Sequence, residues 1–166
     1  MSYDVNIQRQ GISTLIEIQG KSDSVSDWIS GLFNHLPVSP NTAVSKGHSS
    51  IYWLAPEKWL IRGPIELESE LQQSVRLETA PIDMSIVLVS DTLTFFSIEG
   101  EDAAQIMAIV SPLDTHQTQF HKNAGTYTEA FGLKSFILRS RNGFEVAVES
   151  SFADMFETYF SKICAD

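Results

Sequence analysis

The stretch YWLAPEKWLI, Tyr52–Ile61, decides how the chain is read. Large aromatic and branched side chains flank one polar break, Ala55-Pro56-Glu57-Lys58. That is the pattern of a strand, a turn and a second strand. A second stretch, FILRSRNGFEVAV (Phe136–Val148), repeats it around Arg141-Asn142-Gly143. Asn-Gly is the dipeptide best suited to a tight hairpin turn. On this alignment Trp59 falls opposite Phe144. A tryptophan matched by a core ring in another half is expected inside the sheet rather than on a ligand platform. Tyr52 and Trp53 are neighbours on one strand and point to opposite faces. One of the two is expected nearer the surface or under a partner.

Working outward, the repeat extends over the chain. Ile12–Gly20 (ISTLIEIQG) and Thr92–Gly100 (TLTFFSIEG) both alternate and both end at glycine. Each follows another alternating run, Tyr3–Arg9 (YDVNIQR) and Asp83–Val89 (DMSIVLV). Gln10-Gly11 and Ser90-Asp91 read as hairpin turns joining the pairs. A helix follows each pair. Val25, Trp28, Ile29 and Leu32 share the helical spacing of Ala103, Ile106, Met107 and Val110. Ser22, Asp23 or Ser24 is expected to cap the first helix, and Glu101 and Asp102 suit the positive end of the second. Proline-bearing loops, LPVSPNT and SPLDTHQT, stop both. Ala124–Phe131 reads as a further strand, with a weaker counterpart near Asn41–Ser45. Each half closes with a helix, one carrying Leu67, Leu71 and Val75, the other Phe152, Met155, Phe156, Tyr159, Phe160 and Ile163. The expected architecture is α+β: a single domain of two similar ββαβββα halves, 1–78 and 83–166, with mainly antiparallel sheets.

Composition removes several classes of function. Eleven basic residues against 21 acidic ones give a formal net charge of -10. Nucleic-acid binding needs a basic footprint, and anionic membrane surfaces select for the same. Neither partner is expected. One cysteine, Cys164, rules out an intrachain disulfide. No apolar run reaches the length of a membrane span, and the N-terminus lacks the pattern of a secretory signal. A cytoplasmic location is the resulting expectation.

Few groups converge on chemistry. There is no G-x-S-x-G elbow and no glycine-rich phosphate loop. His116 and His121 flank a polar loop and are the candidates for a shared metal, against the commoner reading of solvated loop histidines. Ser111, Asp114 and His116 match a triad in composition, but lie too close along one loop to build its geometry. Glu66, Glu68 and Glu70 read as a solvated helix face. Arg139 and Arg141 are candidates for an anion, with Glu145 and Glu149 as simpler partners. No catalytic, cofactor-binding or metal-binding residue is assigned.

Several segments, in collinear order, resemble one family. WLAPEKWLI resembles the W-L-G-P-[DE]-x-W-L-L stretch of the gamma subunit of heterotetrameric sarcosine oxidase. VSDTLTFFSIEGEDAAQIMA, SPLDTHQTQF, AGTYTEA and ESSFADMF are similar to further segments of that family. Ser111 stands where the family often has cysteine, and Gln117 where proline is usual. The resemblance implies a fold related to the folate-binding domain of the glycine-cleavage T-protein (aminomethyltransferase) group. It implies a subunit without catalytic residues in a flavoenzyme that oxidises sarcosine to glycine, passes the methyl carbon to tetrahydrofolate and yields hydrogen peroxide. Flavin, NAD, folate and zinc are then expected on partner subunits and none on this chain, which would pack on the alpha subunit.

This reading predicts an apolar surface that a partner covers. Tyr52, Trp53, Leu113, Asp114, His116 and Phe120 are the candidate interface residues, and the isolated chain is expected to self-associate through the same patch. The alternative is a small-molecule module holding a folate-like ligand, with Trp53, Trp59 and Glu57 recruited to a pterin ring.

Overall fold

Ten strands and four helices form where the sequence alternates or keeps a helical stripe, in a computed structural model that describes residues 3–165. The first run is β1 (Asn6–Arg9), β2 (Ser13–Gln19), α1 (Ser22–Trp28), β3 (Ala43–Lys46), β4 (Ser49–Ala55), β5 (Lys58–Pro64) and α2 (Glu68–Ser74). The second is β6 (Ser85–Leu88), β7 (Leu93–Glu99), α3 (Ala103–Val110), β8 (Gly125–Ala130), β9 (Leu133–Arg139), β10 (Gly143–Glu149) and α4 (Ala153–Ala165). A 3-10 turn leads into α2 (Ile65–Leu67) and another into α4 (Ser150–Phe152). The fold is α+β with two antiparallel sheets, as the repeat predicts.

The expected opening hairpins do not form. β1 pairs with β7, and β6 pairs with β2. The sheets are ordered β3-β4-β5-β2-β6 and β8-β9-β10-β7-β1. Read by equivalence the two orders are identical, and each sheet takes its fifth strand from the other half of the sequence. One compact unit therefore holds Ile12–Asp91, and the other joins residues up to Gly11 with those from Thr92 onward. Gln10-Gly11 and Ser90-Asp91 carry the chain from one sheet to the other instead of closing hairpins. Specific bonds fix the exchange. Gln10 donates its N–H to Phe95 O at 2.8 Å, and Val89 to Leu15 O at 2.8 Å. Asp102, at the N-cap position of α3, makes no side-chain capping bond, and its Oδ2 accepts the Asp4 N–H at 2.8 Å. The glycine ending each long strand makes room for the incoming one. A Cβ on Gly100, where φ is +131°, would strike the Asp4 carbonyl, and one on Gly20 would press on Met84.

Each unit buries one sheet face under its helices. In the first, Ile16, Ile18, Ile51, Trp59 and Ile61 meet Val25, Ile29, Leu71 and Val75. In the second, Phe96, Ile98, Phe144, Val146 and Val148 meet Ile106, Met107, Phe156 and Phe160. Trp59 pairs with Ile18 and Phe144 with Ile98, so the two rings occupy equivalent core sites. α1 is shorter than its stripe. Lys21, not one of the three candidate polar residues, takes the N-cap position without a side-chain bond, because Ser22 is already helical. The Phe131-Gly132 turn between β8 and β9 has positive φ at both residues (49° and 78°). The bulky Phe131 is held there by edge contacts to Phe156, Tyr159 and Phe160 at 5.1–5.2 Å.

The turn in the opening stretch places Glu57 at φ 61°, a left-handed conformation unfavourable for a side chain bearing a Cβ. Glu57→Gly relieves that strain and is expected to raise stability by about 0.5 kcal/mol, measured by urea unfolding. A loss of stability would contradict this account of the turn.

Candidate partner interface

Four of the six expected interface residues come together in the segment between α3 and β8. Ser111 ends α3 in extended backbone, and its buried hydroxyl donates to Glu129 O at 2.5 Å and accepts the Leu113 N–H at 3.2 Å. The loop is tied to the unit at its root. Asp114 Oδ1 accepts the His116 N–H at 2.9 Å, the local turn that aspartate side chains favour. His116 Nδ1 meets Thr118 Oγ1 at 2.8 Å, and His121 Nδ1 meets Gln117 O at 3.0 Å. Asp114 and His116 are exposed and Leu113 is half-buried.

Phe120 behaves differently. It is 1 % exposed and belongs to the core, so it offers nothing to a partner. The sequence reading missed this because a ring at the end of a polar loop carries no periodicity to mark it as internal. The residue that shapes the loop is Arg139. Its Nε donates to Phe120 O at 2.7 Å, and its Nη2 donates to Thr115 O. The guanidinium lies over the Phe144 ring at 4.6 Å, directly across the β9–β10 ladder. Burial pushes its pKa below the usual arginine value. The planar fork bridges two carbonyls and stacks on a ring at once, which a lysine ammonium cannot do. Arg139 is thus a clamp on loop carbonyls rather than half of an anion site with Arg141, which sits exposed in the turn.

Loop, strand end and the start of α3 border an open cleft of about 690 Å³ lined by Gly100, Ala104, Asp114, His116, Arg139 and Phe144. No nucleophile and base meet there. Ser111 donates to a backbone carbonyl, and Asp114 is engaged with the His116 backbone. Among the described residues no group of three or more His, Cys, Asp or Glu is placed to hold a metal ion. No helix among them is long and apolar enough to cross a membrane.

Tyr52 and Trp53 belong to the other unit. Trp53 stands directly opposite Trp59 across the β4–β5 ladder and packs half-buried on that unit's core. Tyr52 lies opposite Leu60 on the other face, also half-buried. Trp59 is 1 % exposed, and its indole N–H donates to Pro37 O at 2.7 Å. Glu57 serves the turn, its carbonyl accepting the Gly20 N–H at 3.0 Å. The trio suggested for a pterin ring is thus committed to core and turn. Glu68 is not merely a solvated acid, since its carboxylate accepts the Ser90 hydroxyl at 2.5 Å.

Exposed apolar side chains lie mostly where sequence reasoning did not look. Ile82 is fully exposed in the stretch that read as a join between halves. Val87 and Leu88 are 47 % and 37 % exposed on β6, whose alternation reads as one strand of a hairpin. Ile109 on α3, and Phe152 and Tyr159 at α4, add to these. The signal available in the sequence was an aromatic stripe on α4 wider than one face: Phe156 and Phe160 fill the core, leaving Phe152 and Tyr159 over.

Two similar α+β units with exchanged fifth strands define the fold, and solved structures share it. The solved heterotetrameric sarcosine oxidase of Corynebacterium sp. U-96, in complex with pyrrole 2-carboxylate, contains a chain that superimposes with a TM-score of 0.77 at 17% identity, over 90% of this chain and 78% of that one. The glycine cleavage system aminomethyltransferase T of Bartonella henselae superimposes with a TM-score of 0.71 at 13% identity, over 95% of this chain and 45% of that one. A sequence search of curated proteins gave no match. The model of the sarcosine oxidase gamma subunit family matches residues 26–166, and the chain belongs to that family. It is accordingly the small subunit of a multi-subunit complex of that type.

Proposed function

We propose that the chain is an assembly subunit that packs on the alpha subunit of a sarcosine-oxidising flavoenzyme and contributes no reacting group. Flavin, NAD, folate and zinc belong to the other subunits on this reading, and the complex works in the cytoplasm. The observation that carries it is family membership, with exposed apolar side chains, Val87, Leu88, Phe152 and Tyr159 among them, left open to a partner. Side chains with groups suited to catalysis are instead spent on backbone: Ser111, Asp114 and Arg139 all hold one loop. On this reading the loop offers exposed Asp114 and His116 to the partner, with Leu113 half-buried against the core beneath them, and a loop already held in shape lowers the ordering cost of binding.

The test is co-expression of a tagged chain with the alpha, beta and delta subunits, followed by size exclusion and flavin absorbance. A stoichiometric yellow complex that oxidises sarcosine, and comes apart when this chain is omitted, is the expected result. Elution of the chain alone at every salt concentration would overturn the proposal.

A further inference from the structure

We propose that the outer edge of β6 is a docking edge, on which an extended segment of a partner subunit adds a sixth strand to the β3-β4-β5-β2-β6 sheet. The inference rests on the assembly reading above. β6 closes its sheet, so one side of its backbone has no neighbouring strand among the described residues. The Val89 N–H bonds to Leu15 O, and the register runs Glu17↔Val87 and Ile16↔Leu88. Hydrogen-bonded pairs alternate along an antiparallel ladder. The backbone groups of Ser85, Val87 and Val89 therefore face β2, and those of Ile86 and Leu88 face away from it.

Proteins blunt such edges with charge. The three other sheet edges here follow that rule. β1 carries Arg9, bridged to Asp154 at 2.8 Å and Glu157 at 3.2 Å on α4. β3 carries exposed Lys46, and β8 carries exposed Glu129. β6 alone has no ionisable side chain from Met84 through Ser90. Its side chains specify the occupant. Leu88 lies on the core side of the sheet with Ile86 and Ile16, and Val87 lies on the opposite side. Both are substantially exposed, so the added strand carries apolar residues on both faces. Exposed Asp83 stands at one end of the edge, on a chain of net charge -10. Charge complementarity places a basic residue of the partner segment beside Asp83. Backbone pairing supplies affinity in this mode and the alternating side chains supply selectivity.

The test compares amide hydrogen exchange in the isolated chain and in the co-expressed complex with the alpha, beta and delta subunits. In the isolated chain Val87 and Val89 exchange slowly, while Ile86 and Leu88 exchange fast. In the complex Ile86 and Leu88 slow by about 100-fold. Two substitutions check the same edge. Leu88→Pro deletes an outward N–H and no bond to β2; Val87→Lys adds the missing charge. Each is expected to weaken complex formation by about tenfold, with a melting temperature for the chain alone close to that of the unsubstituted protein. Unchanged exchange at Ile86 and Leu88 in an intact complex, or intact assembly by both variants, would overturn the docking edge and leave the assembly reading standing. Failure of the unsubstituted chain to form any complex would overturn both. Protection of Ile86 and Leu88 in a dimer of the chain alone would assign the edge to a second copy and overturn the partner assignment.

Discussion

Trp59→Ala is expected to lower the stability of the chain by about 3–5 kcal/mol, the range for removing a large aromatic side chain from a core. The ring is 1 % exposed and lies among Ile18, Ile61 and the helices of its unit. Its removal also leaves Pro37 O without its 2.7 Å donor. An unsatisfied buried acceptor adds to the loss of packing. Trp59→Phe separates the two terms: the apolar ring returns and the donor does not, so about 1–2 kcal/mol of the loss remains. Urea unfolding followed by circular dichroism reads both values. A loss under about 1 kcal/mol for the alanine variant would mean the ring is not core, and would return YWLAPEKWLI to the status of an aromatic platform. Trp53→Ala, on a half-buried ring beside it, is expected to cost less than Trp59→Ala.

Arg139→Ala is expected to release the loop from Ser111 to Phe120 and to cost about 2–3 kcal/mol, since hydrogen bonds from a charged donor are among the stronger ones. Two carbonyls, Thr115 O and Phe120 O, lose their donor together, and Phe144 loses the cation stacked on it. Arg139→Lys restores the charge but not the fork, and is expected to recover less than half of the loss. The lowered pKa of Arg139 follows from burial and opposes its charge; arginine nevertheless stays protonated at accessible pH. No pH dependence of loop order is therefore expected from this group. Amide exchange across Thr115–Phe120 is the measurement, with faster exchange expected in the alanine variant. If the loop presents Leu113, Asp114 and His116 to the alpha subunit, complex formation weakens in the same variant. A loop that stays protected without the guanidinium would show that the clamp is not what holds it.

Much of the fold was legible because its signals are local. Alternation marked strands at Ile12–Gly20 and Thr92–Gly100, within which β2 and β7 form, and at Ser49–Ala55 and Gly143–Glu149, and helical spacing marked Ala103–Val110. The Asn142-Gly143 break and the match of Trp59 with Phe144 located the paired hairpins correctly. The collinear motifs led to the family for the same reason: they are strings of residues and need no coordinates.

The candidate interface was less legible. Asp114 and His116 are exposed on one loop, Leu113 is half-buried against the core, and Phe120 lies within it. Nothing in SPLDTHQTQF distinguishes those fates, because the clamp that folds the loop back comes from Arg139, nineteen positions beyond Phe120.

The sequence by itself determined where most strands and helices lie, that their pattern repeats, and that Trp59 and Phe144 are equivalent core rings. Side-chain periodicity carries all of that. Only the tertiary structure decided that β1 and β6 change partners, since a strand's alternation says which face is buried and not which neighbour its backbone will bond. Both hairpin and exchange satisfy the pattern of YDVNIQR and DMSIVLV. The choice between them was made by bonds distant in sequence, Asp4 to Asp102 and Val89 to Leu15, and by the space left at Gly100 and Gly20. That same choice put β6 at a sheet edge, uncharged and with Val87 and Leu88 exposed, where a hairpin would have paired it with β7.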